Sequence, residues 1–387
     1  MSRRPSCSRA ERQLIVLSAG TAARRAELAR QAQHLASEVS WAQLAATLSA
    51  RNLLTVLGPR MLRLADAQGA DAFSEQVRSA TIARRRQSTF LGLLASRLVS
   101  LLSDAGIRCT RLKGPELGER IYGEDACRPS SDIDLLVAAE ELAQAATVVR
   151  GLDYAPPADE LDGDGLPMLH LALVHERGEL PAVELHWRIH WYESRFARER
   201  LLAPTVEEQP HWRPVPRDEL AALLLFYARD GFVDLRIAAD LSAWWDAYGD
   251  LVAPGALSDL ISAYPALGRA LVASAAVAEK HLGLPARKLL LDVPGPGLRE
   301  RAATRLANPN PAASRAQLYA DIGVIDGLLT PPGAMRAFIG RQVLPSRAVL
   351  RGRAQAPTRG GHALRVVARY AVTLLRLARR PETLALP

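Results

Sequence analysis

The sequence predicts an α+β fold: a small mixed sheet with helices, flanked by N-terminal and C-terminal helical regions. Three observations predict it. Apolar residues recur at three- and four-residue intervals up to about Asp104. At Gly106 the spacing switches to strand-like alternation, clearest in Asp132–Val137 and Val183–Ile189. Beyond the proline-punctuated stretch 203–217 the helical interval returns and persists to about Gly283. Side chains repeat every 3.6 residues on a helix face and every second residue on a strand face, so the period separates the two kinds of element.

From about Ala10 to Asp104 the chain reads as helical, with Trp41, Leu44 and Leu48, then Phe90, Leu93, Leu94, Leu98 and Leu101, on apolar faces. Ser40 is the expected N-cap before Trp41. A strand over Ile107–Arg111 breaks at Lys113-Gly114-Pro115. Pro115 suits the first turn of a helix running to Tyr122, because its missing N–H costs nothing there. A loop through Arg128, Ser130 and Ser131 leads into the strand Asp132–Val137. A helix over 138–150, a short strand at 152–154, and strands over 168–174 and 182–189 complete the sheet-bearing unit. A last helical patch covers 316–342. The expected divisions are 1–105, 106–202, 203–345 and a basic amphipathic tail, 346–387.

At 387 residues with 49% apolar content, the chain can build ordinary cores without metal or disulfide staples. Cys7, Cys109 and Cys127 are an odd set without CxxC spacing, which excludes a zinc knuckle or disulfide scaffold and fits a reducing cytoplasm. No stretch approaches the roughly 18 apolar residues of a membrane helix, so a soluble protein is expected. The net charge of +8 resides in the tail: Ser346–Pro387 holds nine arginines against Glu382, and the remaining residues balance.

Asp132 and Asp134 project from one strand face while Ile133, Leu135 and Val137 project from the other. Two carboxylates so placed repel each other unless a cation lies between them, and hard oxygen ligands suit Mg²⁺ or Mn²⁺. The same spacing in Asp162-Gly163-Asp164 sits in a glycine turn and is not read as a site. In Val183–Ile189 the polar members Glu184, His186 and Arg188 alternate with apolar ones, so Glu184 can join the aspartates. Three carboxylates from paired strands suit phosphoryl transfer. Lys113 and Gly114 before a helix N-terminus, with Arg128 and Ser130, are candidate phosphate contacts. His170, His175, His186 and His190 are read as lining the site or satisfied in the core rather than as a zinc set; His186 shares Glu184's face. Arg236 and Asp240 are expected to pair across one helical turn, and Trp244 to lie in the core or line an acceptor site.

Leu112-Lys113-Gly114, Tyr122, Arg128-Pro129-Ser130-Ser131-Asp132-Ile133-Asp134-Leu135-Leu136-Val137 and Glu184-Leu185-His186-Trp187 together resemble the uncharacterised nucleotidyltransferase family, of the DNA polymerase β nucleotidyltransferase superfamily. The resemblance is close over about 110–190. It implies a polymerase β-like core, Mg²⁺ or Mn²⁺, an NTP donor (ATP the expected one) and nucleotidyl transfer to an acceptor. Asp132, Asp134 and Glu184 carry over as metal ligands and catalytic carboxylates. Lys113, Gly114, Arg128, Ser130, Ser131 and His186 carry over as nucleotide contacts. Lys113-Gly114 stands where the superfamily usually has Gly-Ser, and Glu184 where Asp is common. Similar members are encoded beside genes for ribosomally made peptides, notably lasso peptides, so a peptide acceptor is implied.

Two other readings compete: a toxin-like relative modifying tRNA or protein, its basic tail engaging RNA, and a non-catalytic binding protein retaining the fold. In the tail, Arg365, Arg369, Arg376 and Arg380 fall within about 60° of one helical face. Docking on protein, whether the protein's own body or an acidic partner, is expected for the tail's apolar side, with an interfacial helix at lipid phosphates as the alternative.

Overall fold

In the computed structural model the described residues are 7–124, 126–157, 169–209, 212–307, 315–344 and 359–379. The expected glycine turn Asp162-Gly163-Asp164 and the tail residue Arg380 lie outside them. The chain opens with helices α1 (Arg9–Ser18), α2 (Ala22–Glu27), α3 (Ala29–Glu38), α4 (Trp41–Ala50), α5 (Leu54–Ala67) and α6 (Asp71–Asp104). Ser8 and Glu11 close a capping box at α1, and Ser40 caps α4. Next come β1 (Cys109–Arg111), α7 (Pro115–Tyr122), β2 (Asp132–Val137), α8 (Leu142–Arg150), β3 (Tyr154–Ala155), β4 (His170–His175) and β5 (Ala182–His186). The second helical region holds α9 (Pro216–Arg229), α10 (Leu235–Tyr248), α11 (Ala256–Ala263), α12 (Gly268–Leu282), α13 (Ala286–Leu289), α14 (Leu298–Leu306), α15 (Arg315–Leu329) and α16 (Met335–Phe338). The last helix, α17, spans Arg359–Arg379.

The strands form one mixed sheet in the order β1-β2-β5-β4-β3. Only β2 and β5 run parallel; every other neighbour is antiparallel. β5 stops at His186 rather than Ile189: its register with β4 ends at His170, beyond which a single backbone bond, Trp187 N–H to Leu169 O at 3.3 Å, continues the pairing. One sheet face is apolar: Ile133, Leu135, Val137, Leu173, Val183 and Leu185 pack against α8 and the second half of α6. Phe90 and Leu93, expected on α6's apolar face, are instead exposed; Leu91, Ala95 and Leu98 carry that packing.

The helices before and after the sheet share one hydrophobic cluster. Leu14, Leu57 and Met61 from the first set meet Leu224, Phe226, Trp244 and Leu271 from the second. A backbone bond from Thr21 N–H to Leu282 O, 2.8 Å long, ties the two sets together. The first half of α6 joins this cluster through Phe73 and Val77, so one helix of 34 residues spans both cores. Trp244 is fully buried, and its indole N–H donates to Glu219 at 2.7 Å. The polar face of the sheet is therefore held against a helical body that both ends of the sequence build.

Candidate active site

Because β2 is buried and alternates, Asp132 and Asp134 emerge on the face opposite the apolar core. The parallel register with β5 sets Asp134 directly beside Glu184, and Leu136 beside His186. One ligand oxygen from each of Asp132, Asp134 and Glu184 lies within 4.8 Å of the others. The crossover between β2 and β5 thus gathers three carboxylates into a single cluster.

Asp134 is the centre of that cluster, with its side chain 1% exposed. His186, fully buried, places Nε2 2.9 Å from Asp134 Oδ1 and 3.2 Å from Glu184 Oε2. Both neighbours are carboxylates that only accept, so this nitrogen carries the hydrogen and donates to them. Lys113 Nζ stands 3.4 Å from the same Asp134 oxygen. Burial alone raises Asp134's pKa, but Lys113, His186 and then Arg229 hold it well below the usual carboxylate range. Glu184 is likewise lowered: burial opposes, while the His186 hydrogen bond and the nearby His170 prevail. Asp132 moves the other way, raised by burial and by the charge of Asp134.

This arrangement fits a divalent cation. Asp134 Oδ2 is buried without a hydrogen-bond partner, a costly state for a charged oxygen unless something positive meets it. The pKa of Asp132 is raised first by burial and then by the charges of Asp134 and Glu184, the two carboxylates it would share a cation with. Asp132, Asp134 and Glu184 supply hard oxygen ligands, and His186 fixes two of them. We predict that His186→Ala weakens Mn²⁺ binding by about 10- to 100-fold in calorimetric titration, with His186→Gln recovering part of it.

His170, Glu184 and His186 also come within 4.8 Å of one another. The buried Nδ1 atoms of both histidines have no partner. A metal on Nε2 would force the hydrogen onto each Nδ1, leaving two buried N–H groups unanswered. With the hydrogens on Nε2 the unanswered groups are two bare Nδ1 acceptors instead, and His186 keeps its donation to Asp134 and Glu184. Burial, then His186, lowers His170 to a pKa of about 4, so at neutral pH it adds no charge.

Gly114 caps α7 at φ 120°, a conformation that L side chains rarely adopt. Ser130 Oγ donates to Asp132 O at 3.0 Å and faces Asp132 Oδ1 at 3.4 Å, which fixes the start of β2; Ser131 beside it is exposed. Arg128, expected as a phosphate contact, lines the cavity at the aspartates and carries a structural load as well. Its Nε donates to Asp240 Oδ2 at 2.8 Å, with both side chains buried. Tyr122 O–H donates to the same carboxylate at 2.9 Å. The expected Arg236–Asp240 pair does not form: Arg236 turns back to Asp234, whose side chain caps α10, because Asp240 is already committed to the loop before β2.

A cavity of about 720 Å³ opens on the aspartates. Its walls include Lys113, Gly118, Arg128, Asp132 and Asp134, while Glu184, beside Asp134 on the neighbouring strand, is not among them. Its other wall is α6, through Arg85, Ser88, Thr89, Gly92, Leu93 and Ser96. Sequence reading missed these residues, which look like an ordinary solvated helix face. The one available signal was Gly92, a helix-interior glycine where a Cβ would meet nothing within 4 Å. From α9, Arg229 reaches the carboxylates electrostatically and lies over the Phe226 ring.

The model of the uncharacterised nucleotidyltransferase family matches residues 37–283, well over half of the chain. The chain belongs to that family. No curated protein and no solved structure matches it. The family match takes in the carboxylate cluster, both sides of the cavity and helices α9 to α12, and stops before α17. Membership makes the chain a transferase of nucleotidyl groups, with a nucleotide among its substrates. Among the described residues no single helix is long and apolar enough to cross a membrane.

Proposed function

We propose that this family member transfers an NMP group from an NTP, ATP being the expected donor, to a hydroxyl or phosphate of an acceptor on a polymerase β-like core. The observation that carries this reading is the parallel register that sets Asp134 beside Glu184, with Asp132 in the same cluster. Asp132, Asp134 and Glu184 would hold Mg²⁺ or Mn²⁺, which when bound neutralises triphosphate charge and acidifies an acceptor hydroxyl. Glu184's lowered pKa makes it a weak base, so we assign it to holding the cation and orienting the acceptor rather than removing its proton.

Lys113, 15% exposed and on the cavity wall, meets an incoming phosphate as a point charge. Gly114 allows close backbone approach at the α7 N-terminus, and Ser130 and Ser131 line the entry to β2. The rest of the ligand lies along α6, where hydroxyls alternate with the open space over Gly92. A ribosomally made peptide is the acceptor that the resemblance favours. Cys7, Cys109 and Cys127 are all free and buried, in keeping with a reducing cytoplasm.

The test is pyrophosphate release from NTP with Mg²⁺ or Mn²⁺ and an acceptor, comparing wild type with Asp132→Asn and Asp134→Asn. Equal release from all three ends the enzymatic reading. A pH signature follows from Asp132. Its pKa is raised, so it stays protonated, and a poor ligand, to a higher pH than an ordinary aspartate at 3.8. We predict that, as pH is lowered, Mn²⁺ affinity falls at a higher pH than an unperturbed carboxylate allows. Lys113 lowers this pKa, so Lys113→Met moves the fall to still higher pH.

A further inference from the structure

The last helix, α17, lies outside the family match and divides lengthwise into three stripes. One faces the body. Val366 and Thr373 are buried, and the Tyr370 ring stacks on Phe338 and crowds Gly323 of α15, where a Cβ would meet its hydroxyl at 2.6 Å. His362 sits one turn earlier, with Nε2 3.2 Å from Gln342 O. At roughly 100° per residue these positions form one face. α17 thus docks on the protein's own body, but through the side that carries Val366, Tyr370 and Thr373, not through the apolar side for which docking is expected.

That docking leaves the most apolar side uncovered. Leu364, Val367, Leu374 and Leu375 are 73%, 55%, 48% and 57% exposed, and by helical spacing they share a face with Ala368 and Ala371. Between this face and the docked one lies a third stripe that carries exposed Arg365 and Arg369. Within Arg359–Arg379 there are five arginines and no acid. A continuous exposed apolar face beside a cationic one marks an interaction site rather than an ordinary surface.

We propose that α17 is an interfacial helix that seats this protein on an anionic lipid surface, its leucine face entering the acyl boundary and its arginines meeting lipid phosphates. Charge decides among the occupants. A second copy would bring the same cationic stripe with no acid in the helix to answer it. A nucleic acid would engage the arginines but has no use for a leucine–valine face, and Tyr370, the ring best suited to stack on a base, is turned into the body. An anionic bilayer answers both stripes together. Because one side of α17 is fastened to α15, the body would rest beside the membrane without crossing it.

Co-sedimentation of the full chain with phosphatidylcholine vesicles, with and without phosphatidylglycerol, tests this. Binding to the anionic vesicles and not to the neutral ones, weakening with salt, is expected. Leu374→Asn with Leu375→Asn should lower it on the order of tenfold, as should Arg365→Glu with Arg369→Glu, with the melting temperature unchanged in both. No vesicle binding, or binding indifferent to the leucine variant, overturns the proposal. A leucine variant that changes the oligomeric mass instead of lipid binding assigns the face to a second copy. RNA retention lost only in the arginine variant assigns the stripe to nucleic acid.

Discussion

Asp132→Asn lowers NTP turnover by about three orders of magnitude while the chain stays folded. The substitution keeps the side chain's shape and removes one of three charges that converge within 4.8 Å. It has a second, opposite effect on the fold. Asp132's pKa is raised in the folded chain, so the stability it contributes is present below its unfolded value near 3.8 and is lost as pH rises through the folded value. At neutral pH its ionised form is therefore a cost, and the cation-free Asn variant should melt higher than wild type. Added Mn²⁺ should raise the melting temperature of wild type and leave the variant's unchanged. Asp134→Asn abolishes turnover as well but lowers stability, since Lys113 then loses the carboxylate beside it and His186 keeps only Glu184 as an anionic partner. Thermal scans with and without Mn²⁺, alongside pyrophosphate assays, separate the two variants. A lower melting temperature for Asp132→Asn would refute the electrostatic account.

Arg128→Ala should destabilise the protein by about 3–5 kcal/mol. The pair it breaks joins residues 112 positions apart, and Asp240 is fully buried. Removing the cation leaves that carboxylate with Tyr122 O–H as its remaining side-chain donor. The pair also seats the loop before β2 on the helical body, where Gly118 of α7 is so close to Arg128 that a Cβ would sit 2.6 Å from its own. Replacing the whole group together (Arg128→Met, Asp240→Leu, Tyr122→Phe) should recover most of the loss, because no buried polar atom is then stranded. Urea unfolding midpoints give the comparison. A loss under about 1 kcal/mol for Arg128→Ala would mean that water compensates the pair as it does at a surface.

These two sites mark how far the sequence could be read. Asp132, Asp134 and Glu184 stood out because strand alternation forces a choice of face, and the neighbours Ile133, Leu135, Val183 and Leu185 settle which face is apolar. The α+β character and small mixed sheet were legible from the same change of period. What the period does not carry is long-range pairing. Asp240 offered an i,i+4 partner in Arg236 and took one 112 residues upstream instead. Lys113 was legible as a lone lysine after a strand, but its contact with Asp134 depends on the β1–β2 antiparallel pairing. The cavity wall on α6 was hidden because Ser88, Thr89 and Ser96 have the polarity of a solvated helix; only the fold of α6 over the sheet makes that face an inner one.

The two carboxylate-bearing strands are parallel neighbours separated by a long connection that includes α8, β3 and β4. Such a connection must wind back completely before β5 can register on β2, and non-local pairings of this kind form late. On the proposed function, cation capture is therefore a clock for maturation of the chain. During refolding, helicity should recover first, and Mn²⁺ uptake should lag until the final strand is inserted. A nascent or nicked chain could look well folded by circular dichroism and still be blind to the ion.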